Sequence, residues 1–133
     1  MKLKKDERAA LTAYRLQRAK ETLTEVKGNV EMGFWHTAAN RLYYACYYAL
    51  NGLLIDNGLT ARTHEGVLRM LGLHFVSKGI ISKEDNKLYS RLFDLRLSGD
   101  YDDWIVIEEE DIKPLLAPAE QFINTIERLI SNK

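Results

Sequence analysis

An arginine set among aromatic residues is the first feature of this chain that bears on chemistry. In the segment from Tyr89 to Arg96, helical spacing puts Tyr89, Leu92 and Phe93 on one apolar face and turns Arg91 and Asp94 away from it. Arg96 follows Phe93 by three residues and Tyr89 by seven, close to the middle of that face. A guanidinium in such a place is paired, snorkels to water, or lines a groove or interface. Asp100, one turn on, is the in-chain partner for a pair if the helix survives Gly99, and Tyr101 and Trp104 follow. A guanidinium open to a groove grips a phosphate through two parallel N–H bonds, which lysine does not reproduce.

A second pattern runs through residues 40–51. Asn40, Tyr44, Tyr47 and Asn51 are spaced four, three and four, which makes one polar stripe on a helix, with Arg41 and Tyr48 beside it. The rest of that helix is apolar, so the stripe needs hydrogen-bond partners or water. Tyrosine hydroxyls and asparagine amides suit a wet groove or a subunit interface; alternatively the rings fill the core with their hydroxyls reaching the surface. Other chemistry is thinly represented. His36, His64 and His74 have no metal-ligand spacing and Cys46 has no companion, so neither a metal site nor a cofactor is expected. A lone helical histidine such as His64 is more often structural. Gly58, Gly72 and Gly79 are isolated, with no phosphate-cradling loop, and no nucleophile motif for acyl transfer is present.

The elements that carry these residues are all helical, because no stretch alternates with period two. A first helix is expected over about 6–27, with Ala9, Ala13, Leu16, Ala19, Leu23 and Val26 as its apolar stripe and Gly28 as its stop. A second, over about 33–56, is apolar nearly all round and therefore central, and Asn57-Gly58 ends it. Thr63 caps a third that ends near Lys78-Gly79, and Ser82 caps a fourth that reaches about Leu97. In a fifth, Ile112, Leu116, Ala119, Ile123, Ile126 and Ile130 form the packed face. The acidic run Glu108–Asp111 suits its N-terminus, and Pro114 and Pro118 should make it start late or kink. The fold expected is an all-α, antiparallel up-and-down bundle of four to five helices, one domain over 1–133.

Composition narrows the partners. The chain has 133 residues, 46% hydrophobic and 29% charged, enough to bury a core without staples. With 19 Lys+Arg and 19 Asp+Glu the formal net charge is zero, which excludes a uniformly basic nucleic-acid binder and leaves only a local patch for such a contact. A single cysteine excludes an internal disulfide and points to a reducing compartment. The basic start of the chain is followed by no apolar segment of a secretory signal, and Leu42–Leu50 is too short to span a bilayer. A cytoplasmic location without membrane contact is expected.

The residues that break the pattern also carry a resemblance. Ala39-Asn40-Arg41-Leu42-Tyr43-Tyr44-Ala45-Cys46-Tyr47-Tyr48, then Thr63-His64-Glu65-Gly66-Val67, then Leu95-Arg96 through Asp100-Tyr101-Asp102 resemble the HEPN domain family, and within it the small stand-alone bacterial and archaeal branch with an Arg-x3-Asp-Tyr element. The resemblance implies a helical bundle that forms two-fold dimers, is often encoded with a small nucleotidyltransferase, and in many members is an RNA-cleaving toxin. In those members an Arg, a polar neighbour and a later His from two subunits make one site. Arg96 matches the motif arginine, Leu97 replaces the polar neighbour, and Tyr101 stands where the shortest motif has histidine. Tyrosine, with a pKa of about 10, is a poor general base at neutral pH. The leading expectation is therefore a dimeric module of toxin–antitoxin or defence type that binds RNA or nucleotide through Asn40, Arg41, Tyr44, Tyr48 and Asp100. The alternatives are an active metal-independent endoribonuclease using Arg96 with Tyr101 or His64, and a non-catalytic partner of a nucleotidyltransferase.

Overall fold

A computed structural model describes residues 3–101 and 105–131, with side chains described as far as residue 98 in the first stretch. All regular structure among them is helical: α1 Lys5–Glu31, α2 Trp35–Asp56, α3 His64–Leu71 continued by a π-helical segment Gly72–Val76, α4 Lys83–Tyr101 and α5 Glu109–Ser131. The antiparallel all-α bundle expected from the periodicity is what forms.

α2 is the central helix, packing on α1, α4 and α5. Leu42, Tyr43, Ala45, Cys46, Ala49, Leu50, Leu53 and Leu54 are all buried along it. Removing a Leu-sized side chain from water contributes about 1.5–3 kcal/mol, so this one helix supplies much of the core. α1 lies against it at short range. A Cβ on Gly52 would stand 3.3 Å from the Cβ of Arg15 and 3.4 Å from the Thr12 carbonyl oxygen. The face that α1 turns to α2 departs from the expected stripe. The buried residues of α1 are Thr12, Ala19, Thr22 and Val26, whereas Ala9 and Ala13 are exposed. The face of α1 turned to α2 thus carries Thr12 and Thr22, and Thr22 satisfies its buried hydroxyl by donating to the Arg18 carbonyl at 2.7 Å.

The boundaries show where local signals lost. Gly28 does not stop α1, which runs on to Glu31 and thereby packs Val30 against the core; the chain turns at Gly33, whose φ is +72°. Thr63 caps α3 by accepting from Gly66 N–H at 2.9 Å, and Ser82 caps α4 by accepting from Asp85 N–H at 3.0 Å, both as expected. α3 does not continue as a regular helix to Lys78. At Gly72 it widens into the π segment, closed by Ser77 N–H to Gly72 carbonyl at 2.9 Å. The wider turn keeps Phe75 buried in line with Leu71 and Val67. α4 passes through Gly99 instead of ending at Leu97, and α5 begins at Glu109 with both prolines inside it rather than starting late. His36 accepts the Ile107 N–H on Nε2 at 3.2 Å, tying the segment before α5 to α2.

Candidate functional site

Three helices bring their aromatic residues to one place. Tyr43 of α2, fully buried, is its centre: the rings of Tyr44, Tyr47, Tyr89, His64 and Phe93 have centroids 5.3, 5.8, 5.6, 5.6 and 6.0 Å from its own. Arg96 of α4 lays its guanidinium over Tyr43 at 5.1 Å and near Phe93 at 5.8 Å. Only 7% of Arg96 is exposed. The arginine placed by spacing in the middle of an apolar face is thus met by π-faces, which stabilise a desolvated cation by about 2 kcal/mol.

His64 enters from the first turn of α3, aimed by the Thr63 cap. Its Nδ1 lies 2.7 Å from the Tyr43 hydroxyl, and its ring packs on Tyr47 at 4.5 Å. Tyr89 in turn donates its hydroxyl to the Tyr43 oxygen at 3.4 Å. With the Tyr43 oxygen already accepting, its proton points to Nδ1, and we assign the proton of neutral His64 to Nε2. Burial pushes the Tyr43 hydroxyl up to about 12, so it stays protonated, and Tyr89 is raised well above its ordinary value for the same reason. Partial burial, and then the Arg96 charge, hold His64 below its usual 6.5. The arrangement is a buried tyrosine pair holding a neutral imidazole with an N–H donor at Nε2, on a cationic floor.

The stripe of α2 forms the rim of this cluster. Asn40, Arg41, Tyr44, Tyr47, Tyr48 and Asn51 are each half-buried. Arg41 donates to Asn40 Oδ1 from Nε at 3.1 Å and Nη2 at 2.9 Å, and rides over the Tyr44 ring at 5.1 Å. Arg18 of α1 does the same over Tyr48 at 5.4 Å while pairing with Glu21 at 3.2 Å. The result is a row of phenol rings with guanidiniums stacked on them. The side chains of Asp100, Tyr101 and Trp104 lie outside the described residues.

Spacing singled out Tyr44 and Tyr47 but passed over Tyr43 and Tyr89 as hydrogen-bonding residues. Their signal was available: Tyr43 shares the apolar stripe of Ala39, Cys46 and Leu50, where a phenol hydroxyl must find a partner. His64 proves to stand with the arginine rather than apart from it. Among the described residues no group of three His, Cys, Asp or Glu is placed to hold a metal ion, and no helix is long and apolar enough to cross a membrane.

Comparison with known proteins adds four findings. The family model for the HEPN domain matches residues 12–129. A UPF0332 protein of Thermotoga maritima is 37% identical over 127 residues, 96% of both chains. A Methanocaldococcus jannaschii protein described as a "putative toxin" is 30% identical over 128 residues, covering 96% of this chain and 94% of its own. The crystal structure of TT1696 from Thermus thermophilus superposes with a TM-score of 0.76 at 18% identity, over 88% of this chain and 96% of that one, a likeness of fold.

Proposed function

The chain belongs to the HEPN domain family, and from that premise we infer that it is a single-domain, toxin-like module that binds single-stranded RNA on the half-exposed stripe of α2. The observation that carries the reading is the row of Tyr44 and Tyr48 rings backed by Arg41 and Arg18, continuous through Tyr47 with His64. Rings of this kind stack with bases whatever their sequence, and guanidiniums follow the phosphates. His64 Nε2–H is a donor for a phosphate oxygen. Arg96 acts from beneath, its charge adding to the burial that lowers His64 from its usual value. A net charge of zero fits a contact confined to one patch.

The module acts as a homodimer with its two-fold near α2 and α4, an arrangement that brings two clusters towards one groove. Exposed Ile105 and Val106, shortly before α5, are apolar surface available to such a contact. The toxin-like names of two relatives support a toxin-like role, and the reading extends to a cytoplasmic setting with a nucleotidyltransferase as the protein partner.

His64 beside Arg96 favours a second reading, metal-independent RNA cleavage, in which the imidazole moves the proton and the guanidinium stabilises charge on the phosphorus centre. One experiment separates the two: incubation of the purified chain with labelled single-stranded RNA in EDTA, reading binding and products together. Tyr44→Ala and Arg41→Ala should each weaken binding at least about fivefold, since base stacking contributes about 1–3 kcal/mol per base. Products that vanish in both Arg96→Ala and His64→Ala establish the second reading. Wild-type affinity in Tyr44→Ala and Arg41→Ala alike rejects the stripe as the RNA site.

A further inference from the structure

Beyond the aromatic cluster, a cleft of about 440 Å³ opens between the first half of α1, the end of α2 and the connection to α3. Its walls are aliphatic, from Leu3 and Leu11 on one side and Leu54, Ile55 and Leu59 on the other. Arg8 and Arg15 supply its charge, and among the described residues no Asp or Glu lines it. Neither arginine has an ion pair among the described residues, although the chain carries as many acidic as basic groups.

The two guanidiniums stand at opposite ends of the cleft. That of Arg8 lies 3.9 Å from where a Cβ on Gly58 would stand, just beyond the end of α2. Arg15 sets its stem against Gly52, and its charge opposes the rise that burial gives the Tyr47 hydroxyl, so its guanidinium is turned towards Tyr47. Tyr47 and Asp56, the last residue of α2, are about 13 Å apart along the helix at 1.5 Å per residue. Leu11, Leu54 and Ile55 lie between the two charges. One small anion cannot meet both arginines, whereas an elongated ligand with an anion near each end and an apolar middle can. The Tyr47 ring is already engaged, stacked on Tyr43 at 5.8 Å and packed on His64 at 4.5 Å, so the walls left for a ligand suit leucine-like side chains rather than bases.

We propose that this cleft is a docking groove for an acidic amphipathic helix of a partner protein, with carboxylates at positions i and i+7 and leucine-like residues at i+3 and i+4. On a helix, i and i+7 are about 10.5 Å apart on one face, with i+3 and i+4 between them, the anchor spacing of a helix laid in a groove. The carboxylates meet Arg8 and Arg15 while the apolar pair enters between the leucines. The Nε–H of Arg15 is out of reach of water and has no acceptor among the described residues, so its guanidinium is desolvated on one side. A carboxylate bonds such a cation more strongly than a fully hydrated one. Tyr14, three residues after Leu11 and 56% exposed, continues the surface along α1, and tyrosine and arginine are residues in which binding energy concentrates. The proposal is independent of RNA binding on the α2 stripe, which uses neither Arg8 nor Arg15.

Fluorescence anisotropy of labelled synthetic peptides titrated with the purified full chain tests it. Three alanine-rich helices of about 18 residues are compared: one with Glu at i and i+7 and Leu at i+3 and i+4, one with Lys for both Glu, and one with Ala for both Leu. Saturable binding of the first is expected at about 10–100 μM, weakening as salt is raised, with the other two about tenfold weaker or more. Arg8→Gln and Arg15→Gln keep the stems, circular dichroism confirms the fold, and each should lose about five- to tenfold. Arg8→Glu should lose the acidic peptide and regain affinity for a peptide with Lys in place of the glutamate that faces residue 8, a rescue that a structural role for Arg8 does not give. Equal binding of the Glu and Lys peptides, wild-type affinity in the Arg8→Gln/Arg15→Gln double variant, or no saturable binding up to about 1 mM each overturns the proposal. So does displacement of the peptide by a single-stranded RNA whose own affinity falls in the double variant, which assigns the cleft to nucleic acid.

Discussion

At Tyr43 a single phenol ring does three things: it carries a guanidinium on its face, accepts a hydroxyl from Tyr89 and directs its own proton to His64. The consequence for His64 has a sign. Burial and the Arg96 charge lower its folded-state pKa beneath the usual 6.5, so on acidification the unfolded chain takes up the proton first. The stability associated with neutral His64 is complete above that value and is lost as pH falls from 6.5 towards the folded-state pKa. Thermal midpoints measured from about pH 7 to about pH 5.5 should therefore fall more steeply for wild type than for His64→Gln; parallel slopes reject the assignment. Cys46 offers an independent check on the core. Burial pushes its thiol far up, and it sits fully enclosed with Sγ 4.0 Å from the Ala119 carbonyl. It should resist alkylation at pH 8 in the native protein and react only at the rate of unfolding. Prompt modification of folded protein would show that the α2–α5 contact is looser than described.

Among the helices, the approach of α1 to α2 is the contact most sensitive to volume. Gly52 faces the Arg15 stem and the Thr12 carbonyl at 3.3 and 3.4 Å, so the branched side chain in Gly52→Val has to push α1 outward. A destabilisation of about 1–3 kcal/mol is expected, read as a shifted denaturant midpoint; a midpoint equal to wild type would mean that α1 gives way freely. The same contact shows which local features were legible in sequence. The caps Thr63 and Ser82 could be read because a cap depends only on its own first turn. The stripe of α1 could not, since Ala9 and Ala13 fit the helical period as well as Thr12 and Thr22 do, and the side that α2 covers is decided by the packing of the two helices. Gly28 failed as a stop because continuing the helix packs Val30 against the core. In the site, Arg96 was recognisable from its place on an apolar face, but the union of His64 with Tyr43, 21 residues apart, depends on how the α2–α3 connection folds back, which no spacing encodes.

The molecule as a whole presents apolar surface that its own helices leave uncovered. Met32 and Phe34 at the α1–α2 turn are 68% and 54% exposed, and Val106 is 70% exposed. If the α4 side is where two copies meet, light scattering at micromolar concentration should give twice the chain mass of 15.4 kDa, and Val106→Asp should return it to the single-chain value. A wild-type mass of 15.4 kDa would remove the shared groove from the functional reading.

α1 and α2 are neighbours in sequence, separated by residues 32–34, whereas the aromatic cluster needs Tyr43 from α2, His64 from α3, and Tyr89, Phe93 and Arg96 from α4. Contacts between consecutive helices form before those that close longer loops, and a growing chain offers its N-terminal elements first. During synthesis the α1–α2 hairpin can therefore assemble while the cluster still lacks its cation, because Arg96 is reached only when nearly three-quarters of the 133 residues have been joined. A nascent chain halted before that point holds α1, α2 and α3 but neither α5 nor the Arg96 charge that adds to burial in lowering His64. The stripe proposed for RNA, built from Arg18, Arg41, Tyr44 and Tyr48, is thus joined well before the cation that the cleavage reading requires.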